Sequence, residues 1–153
     1  MTIGCQFHNQ TLERQNRKIS MVMWDLGGQS RFRFIQPEYV KGAVGAFILF
    51  DLSDPVTFSN VADEWIPLLR NNANPTIPIV LVGSKMDLVD EAMLARMTAS
   101  AQELVKQYNL TAFIATSAKW GINIDETILY LVDVLIWQAF QSEEGTGTTQ
   151  SSA

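Results

Sequence analysis

The chain has 153 residues, the size of one compact domain, and is 47% hydrophobic against 18% charged, a balance that excludes an intrinsically disordered chain. Its formal net charge of −5 argues against binding nucleic acid, or an anionic membrane by charge alone, since both need a basic face. One cysteine, Cys5, and one histidine, His8, exclude an intrachain disulfide and a Cys/His zinc site, and predict a reducing compartment. The N-terminus has no basic-then-apolar leader, and no apolar run approaches the ~20 residues of a membrane span. The C-terminal stretch from Glu144 has no cysteine to lipidate. These features predict a cytoplasmic protein with no membrane anchor in this chain.

Taken in order, Ile3, Cys5 and Phe7 alternate with polar residues, the period-two pattern of a half-buried strand. The polar stretch Glu13–Arg17 reads as a hairpin connection, and the apolar run Ile19–Trp24 as its deeper return strand. Three further apolar runs, Gly45–Phe50, Ile77–Gly83 and Ala112–Ala115, suit strands of a parallel sheet covered on both faces.

Helical patterns lie between and after these runs. Val61, Trp65, Leu68 and Leu69 share one helix face, with Asp54 as N-cap and Pro55 at the first position. Pro67 removes an interior N–H there and predicts a kink or an early end. Ala101, Leu104, Val105 and Tyr108 predict a second helix capped by Thr98. Ile124, Ile128, Leu131 and Leu135 predict a third, opened by a capping box of Asn123 and Glu126. The Gly/Ser/Thr-rich tail, residues 142–153, is expected to be disordered beyond a domain of residues 1–141. Trp65, Trp120 and Trp137 read as packing residues.

Alternating strands and helices define an α/β domain with a mostly parallel sheet, and ligands of such sheets bind at the carboxyl ends of the strands. Three segments lie there. Asp25-Leu26-Gly27-Gly28-Gln29 offers a carboxylate for a hydrated cation, a glycine that lets backbone approach a phosphate, and an amide able to orient water. Gly83-Ser84-Lys85-Met86-Asp87 offers a carboxylate for the N1–H and exocyclic amine of guanine, beside a lysine stem that can cover the base. Thr116-Ser117-Ala118-Lys119 is a small-residue loop whose backbone N–H can approach the guanine O6. Each segment alone is also compatible with an ordinary loop.

In order along the chain, the three resemble the DxxGQ, NKxD and SAK motifs of Ras-superfamily small GTPases, over essentially residues 2 to 140. The Trp24-Asp25-Leu26-Gly27-Gly28-Gln29 wording is closest to the Arf group, while Arg31-Phe32 and Thr2-Ile3-Gly4 are more similar to Rab or Ras. The resemblance implies a three-layer P-loop-NTPase-like G domain, whose sheet is mostly parallel with one antiparallel edge strand. It implies a switch that hydrolyses GTP to GDP with Mg²⁺, and effector, exchange-factor and GTPase-activating partners that bind the switch regions. Thr2 and Asp25 would be the metal-side residues, Thr2 and Gly28 would sense the γ-phosphate, and Gln29 would position the attacking water. Ser84, Lys85, Asp87, Ser117, Ala118 and Lys119 would hold the guanine. Ser84 departs from the usual asparagine.

The sequence contains no Gly-x-x-x-x-Gly-Lys-Ser/Thr; Gly42-Ala43-Val44-Gly45 lacks the following lysine and runs into a strand. The resemblance puts that loop upstream of the switch threonine, here Thr2. The domain is therefore expected to miss its first, central strand, the loop and the first helix, roughly 30 residues of such a unit. That predicts a truncated form that binds GTP weakly alone through Lys85, Lys119 and Arg31, and unpaired edges on the strands at Ile19–Trp24 and Gly45–Phe50. The alternative is a pseudo-GTPase, a protein-interaction module without hydrolysis. A receiver-like domain gives no reason for Ser84-Lys85-Met86-Asp87. Phe32, Phe34, Ile35 and Tyr39 form either an effector surface or part of the core.

Overall fold

The computed structural model describes residues 5–28, 31 and 33–146. Strand β1 (Cys5–Arg14) pairs antiparallel with β2 (Arg17–Leu26) along their whole length. The connection is shorter than the sequence suggested. Only Gln15 and Asn16 turn, with φ of 53° and 59°. Positive φ at both positions gives the primed turn whose twist matches the strands it joins. β2 is the deeper strand, with Ile19, Met21 and Met23 half-buried. β1 is not half-buried by alternation, because Phe7 is exposed. Phe7 faces solvent and the Trp24 ring on β2 rather than the core.

Strands β3 (Ala46–Asp51), β4 (Ile79–Ser84) and β5 (Ala112–Ala115) form a parallel sheet in that order. Helices cover both faces, which is why these strands are apolar throughout. Ile48, Phe50, Ile79 and Leu81 pack with Val40, Val61, Ile66, Met97 and Ala101 from helices on one side. Val80 and Val82, with Phe47 and Ile114 beside them, pack against Leu131 and Leu135 on the other. This is the α/β architecture the sequence predicts, but its strands form two sheets. β1–β2 and β3–β4–β5 share no ladder, and β3 is the edge of its sheet.

The hairpin is fastened to the second body by side chains. Arg14 Nε and Nη2 each donate to Asp133 at 2.8 Å, with Gln15 Nε2 at 3.2 Å. The Arg17 guanidinium lies 4.0 Å from the Phe140 ring centre. Hydrogen bonding from Arg14 holds the Asp133 carboxyl below its ordinary value, against the opposing effect of burial.

Helix α1 spans Gln36–Val40. Pro67 has a legible effect on the next helix. α2 (Pro55–Asn60) widens into a π turn over Val61–Trp65 before α3 (Ile66–Asn72). The helix does not end at Pro67. The wider turn, closed by Ile66 N–H to the Val61 carbonyl, makes room where the proline ring would meet the preceding turn. Asp54 caps α2 as expected, accepting from Val56 N–H at 3.0 Å. α4 (Glu91–Gln107) starts well before Thr98, because Asp90 caps it through the Met93 N–H at 2.7 Å. α5 (Ile124–Thr146) extends past the Ser142 boundary drawn from composition. Among the described residues, no helix is long and apolar enough to cross a membrane.

Candidate guanine-nucleotide site

The ends of β4 and β5 adjoin, and backbone bonds lock them together. Thr116 N–H donates to the Gly83 carbonyl at 2.7 Å, and Met86 N–H to the Thr116 carbonyl at 2.9 Å. Ser84 closes β4 and donates its hydroxyl to the Phe50 carbonyl at 2.9 Å, tying the loop to β3. A serine in the place of asparagine thus still anchors the loop, through a shorter reach.

Lys85 follows in a left-handed conformation, φ 60° and ψ 40°. Such a backbone is costly for a residue with a Cβ and persists only where its surroundings impose it. Here a 3₁₀ turn, Met86–Leu88, begins immediately after it, and the Lys85 ammonium is 2.8 Å from the Asp51 carboxylate. Burial works to raise the Asp51 pKa, but the hydrogen bonds from Lys85 and Ser53 outweigh it, so Asp51 lies below its ordinary value. The hydrogen bond that Lys85 donates to Asp51 in turn raises the Lys85 pKa. Asp51 was not singled out in the sequence. Its signal was present, an acid ending an apolar run, but its partner lies 34 positions on and only the fold joins them.

Asp87 accepts a 2.7 Å hydrogen bond from the Ser117 hydroxyl. Ser117 is fully buried, and its oxygen also accepts from Trp120 N–H at 3.1 Å. Its backbone exchanges bonds with Ile122, of 3.1 and 2.9 Å, so the Ser117–Ile122 loop is closed on itself. Asn123, with φ 59°, donates its side-chain amide to the Ala115 carbonyl at 2.9 Å, which ties the start of α5 to β5. Asp87 is therefore oriented through its Oδ1. Replacing Ser117 with alanine is expected to cost about 1 kcal/mol in denaturant-unfolding free energy, since the Trp120 N–H loses its acceptor and Asp87 its anchor. Ala118 and Lys119 are exposed in the same loop.

The structure thus brings together Ser84, Lys85, Asp87, Ser117, Ala118 and Lys119. Asp25 and Gly28 stand apart from them, at the end of β2 in the other sheet. Thr2 and Gln29 lie outside the described residues, as do Ile3 and Phe32. Leu26 packs against the core that holds Phe50 and Leu52, which sets the end of β2 beside the parallel sheet. A feature that the sequence reading missed is an aromatic row running from the hairpin to α1. Trp24 has its ring centre 5.6 Å from that of Phe7 and 5.3 Å from that of Tyr39, and all three are exposed. Trp65 packs against the core, but Trp120 and Trp137 are exposed, contrary to their reading as packing residues.

The model of the Ras family matches residues 1–136. The Ras-related protein RAB1BV of Beta vulgaris is 37% identical over 125 residues, 82% of this chain and 57% of its own length. The GTP-binding protein ypt3 of Schizosaccharomyces pombe is 40% identical over 125 residues, 82% of this chain and 56% of its own. The Ras-related protein Rab-13 of Rattus norvegicus is 30% identical over 151 residues, 99% of this chain and 72% of its own. The chain thus spans between half and two thirds of the length of the first two. With the α/β architecture, these matches establish that the chain belongs to the Ras family of small GTPases.

Proposed function

We propose that this chain is a guanine-nucleotide-dependent switch that reads the base through Asp87. The observation that carries the reading is the Asp87 carboxylate, held by Ser117 at the joined ends of β4 and β5, with Lys85 fixed beside it by Asp51. A carboxylate so held can accept the two guanine donors, and adenine offers no such pair. The Lys85 stem and the Ser117–Lys119 loop would flank the base. Gly28 would offer its N–H to a terminal phosphate, and Gln29 would orient water for attack on it. Asp25 is a hard oxygen donor at the end of β2, and with Thr2 would hold a Mg²⁺ that arrives with the phosphates. That ion would neutralise charge developing on the transferred phosphoryl group.

Since the 153 residues include no Gly-x-x-x-x-Gly-Lys-Ser/Thr, affinity in this chain is expected to rest on the base and to be weak. Titration of the purified chain with GDP and ADP, followed by NMR, tests this. Shifts at Asp87 and Ser117 should appear with GDP and not ADP, and Asp87→Ala should weaken GDP binding about 10- to 100-fold. Equal binding of ADP, or an unaffected Asp87→Ala variant, would refute the reading; tight GTP binding would refute its weakness.

The aromatic row Phe7–Trp24–Tyr39 favours a second reading, a protein-interaction module without hydrolysis. Exposed clustered aromatics are the residues that anchor protein interfaces. The two readings meet if effector, exchange-factor or GTPase-activating proteins dock here. A cytoplasmic location suits either.

A further inference from the structure

The glycine pair after β2 is held by contacts that involve no nucleotide. Gln36 is 6% exposed, and its Nε2 donates to the Gly27 carbonyl at 2.8 Å. It opens α1 directly ahead of Pro37, so its backbone is set by the helix while its side chain reaches back nine positions. Two further contacts flank this bond. Arg33 Nη2 lies 2.7 Å from Glu64 Oε1. A Cβ built on Gly28 would stand 3.4 Å from Trp65 Cζ2, so the indole lies alongside that glycine.

Glu64 and Trp65 both belong to the π turn, so the widening before Pro67 sets where this docking face stands. Gly28, Arg33, Gln36, Glu64 and Trp65 share the lining of one cavity of about 290 Å³. Phe34 is 79% exposed, so its burial does not supply this fastening.

We propose that Gln36 is a positioning residue: it docks Gly27-Gly28 onto the π turn before nucleotide arrives, so that the Gly28 N–H is already in place for a terminal phosphate. The docking stands on the contacts above; its use for phosphate rests on the proposed function. A buried amide donor satisfied by one carbonyl is selective, because breaking that bond leaves the donor without water to replace it. A phosphate meeting a pre-placed N–H loses less freedom on binding than one that must first order the chain.

Gln36→Met keeps the volume and removes the donor. Amide order parameters from NMR relaxation of the nucleotide-free chain, wild type against Gln36→Met, are expected to fall at Gly27 and Gly28 from the ~0.85 of rigid backbone toward the ~0.6 of flexible backbone. Those of α4 should not change. Glu64→Gln should give a smaller fall at the same amides. Unchanged order parameters at Gly27 and Gly28, or a fall shared equally by α4, would overturn the docking role. GDP titration of the same two proteins separates the claims. If the wild type shows no guanine preference, the proposed function fails while the relaxation result still decides the docking. If the wild type prefers guanine and the order parameters are unmoved by Gln36→Met, the docking fails alone.

Discussion

Phe50→Ala is expected to remove about 3–5 kcal/mol of unfolding free energy, a large part of the roughly 5–15 kcal/mol that a domain holds. Phe50 is 2% exposed in the middle of the core, with its ring centre 5.0 Å from that of Phe58, edge-on, and 6.1 Å from that of Phe113, stacked. Its removal leaves a cavity bounded by strands on one side and the start of α2 on the other, and a parallel sheet cannot close over it without breaking register. The loss should reach the site. Ser84 is anchored on the Phe50 carbonyl, and Asp51, the partner of Lys85, is the next residue. Urea unfolding gives the free energy, and a loss below about 1 kcal/mol would show that the ring packs less tightly than its burial implies.

Gly83→Val is expected to destabilise by about 2–3 kcal/mol through the opposite fault, overpacking. A Cβ at Gly83 would sit 2.8 Å from Leu52 Cδ2, 3.0 Å from Leu52 Cγ and 3.1 Å from Phe113 Cε2. Leu52 has no exposed surface, so it has nowhere to rotate. Gly83 is needed for close approach, and the reason lies in its neighbours rather than in its backbone angles. The Gly83 carbonyl also accepts the Thr116 N–H, so the strain is applied where β4 and β5 join. Thermal unfolding of Gly83→Ala and Gly83→Val should show a graded loss, and a valine variant as stable as the wild type would defeat the argument.

The parallel strands were legible because burial on both faces leaves a continuous apolar run, and each run is short and bounded by turn formers. The hairpin was half legible. Alternation located β1, yet it could not tell that Phe7 turns outward, since an aromatic on an exposed face and one on a buried face give the same period. Helix ends turned on local chemistry that was misjudged: Asp90 outcompeted Thr98 as a cap, and Pro67 was absorbed by a wider turn instead of ending the helix. Of the candidate site, the placement of the residues proposed to read the base was legible because each follows a strand. The pairings that fix them were not. Lys85 with Asp51 and Gln36 with Gly27 are tertiary contacts between segments whose own sequences do not announce one another.

Because the two sheets share no ladder, unfolding of the molecule should not be a single event at the level of individual amides. The hairpin β1–β2 has its own complete set of cross-strand bonds and meets the rest through Arg14, Gln15, Arg17, Leu26 and the ring of Trp24. It can therefore leave as a cooperative unit, at a free energy below that of global unfolding, while the central strand β4 stays closed. With the hairpin closed or open, β3 stands at the edge of its sheet among the described residues with Leu49 59% exposed, so an apolar parallel edge is already offered to any other chain in solution.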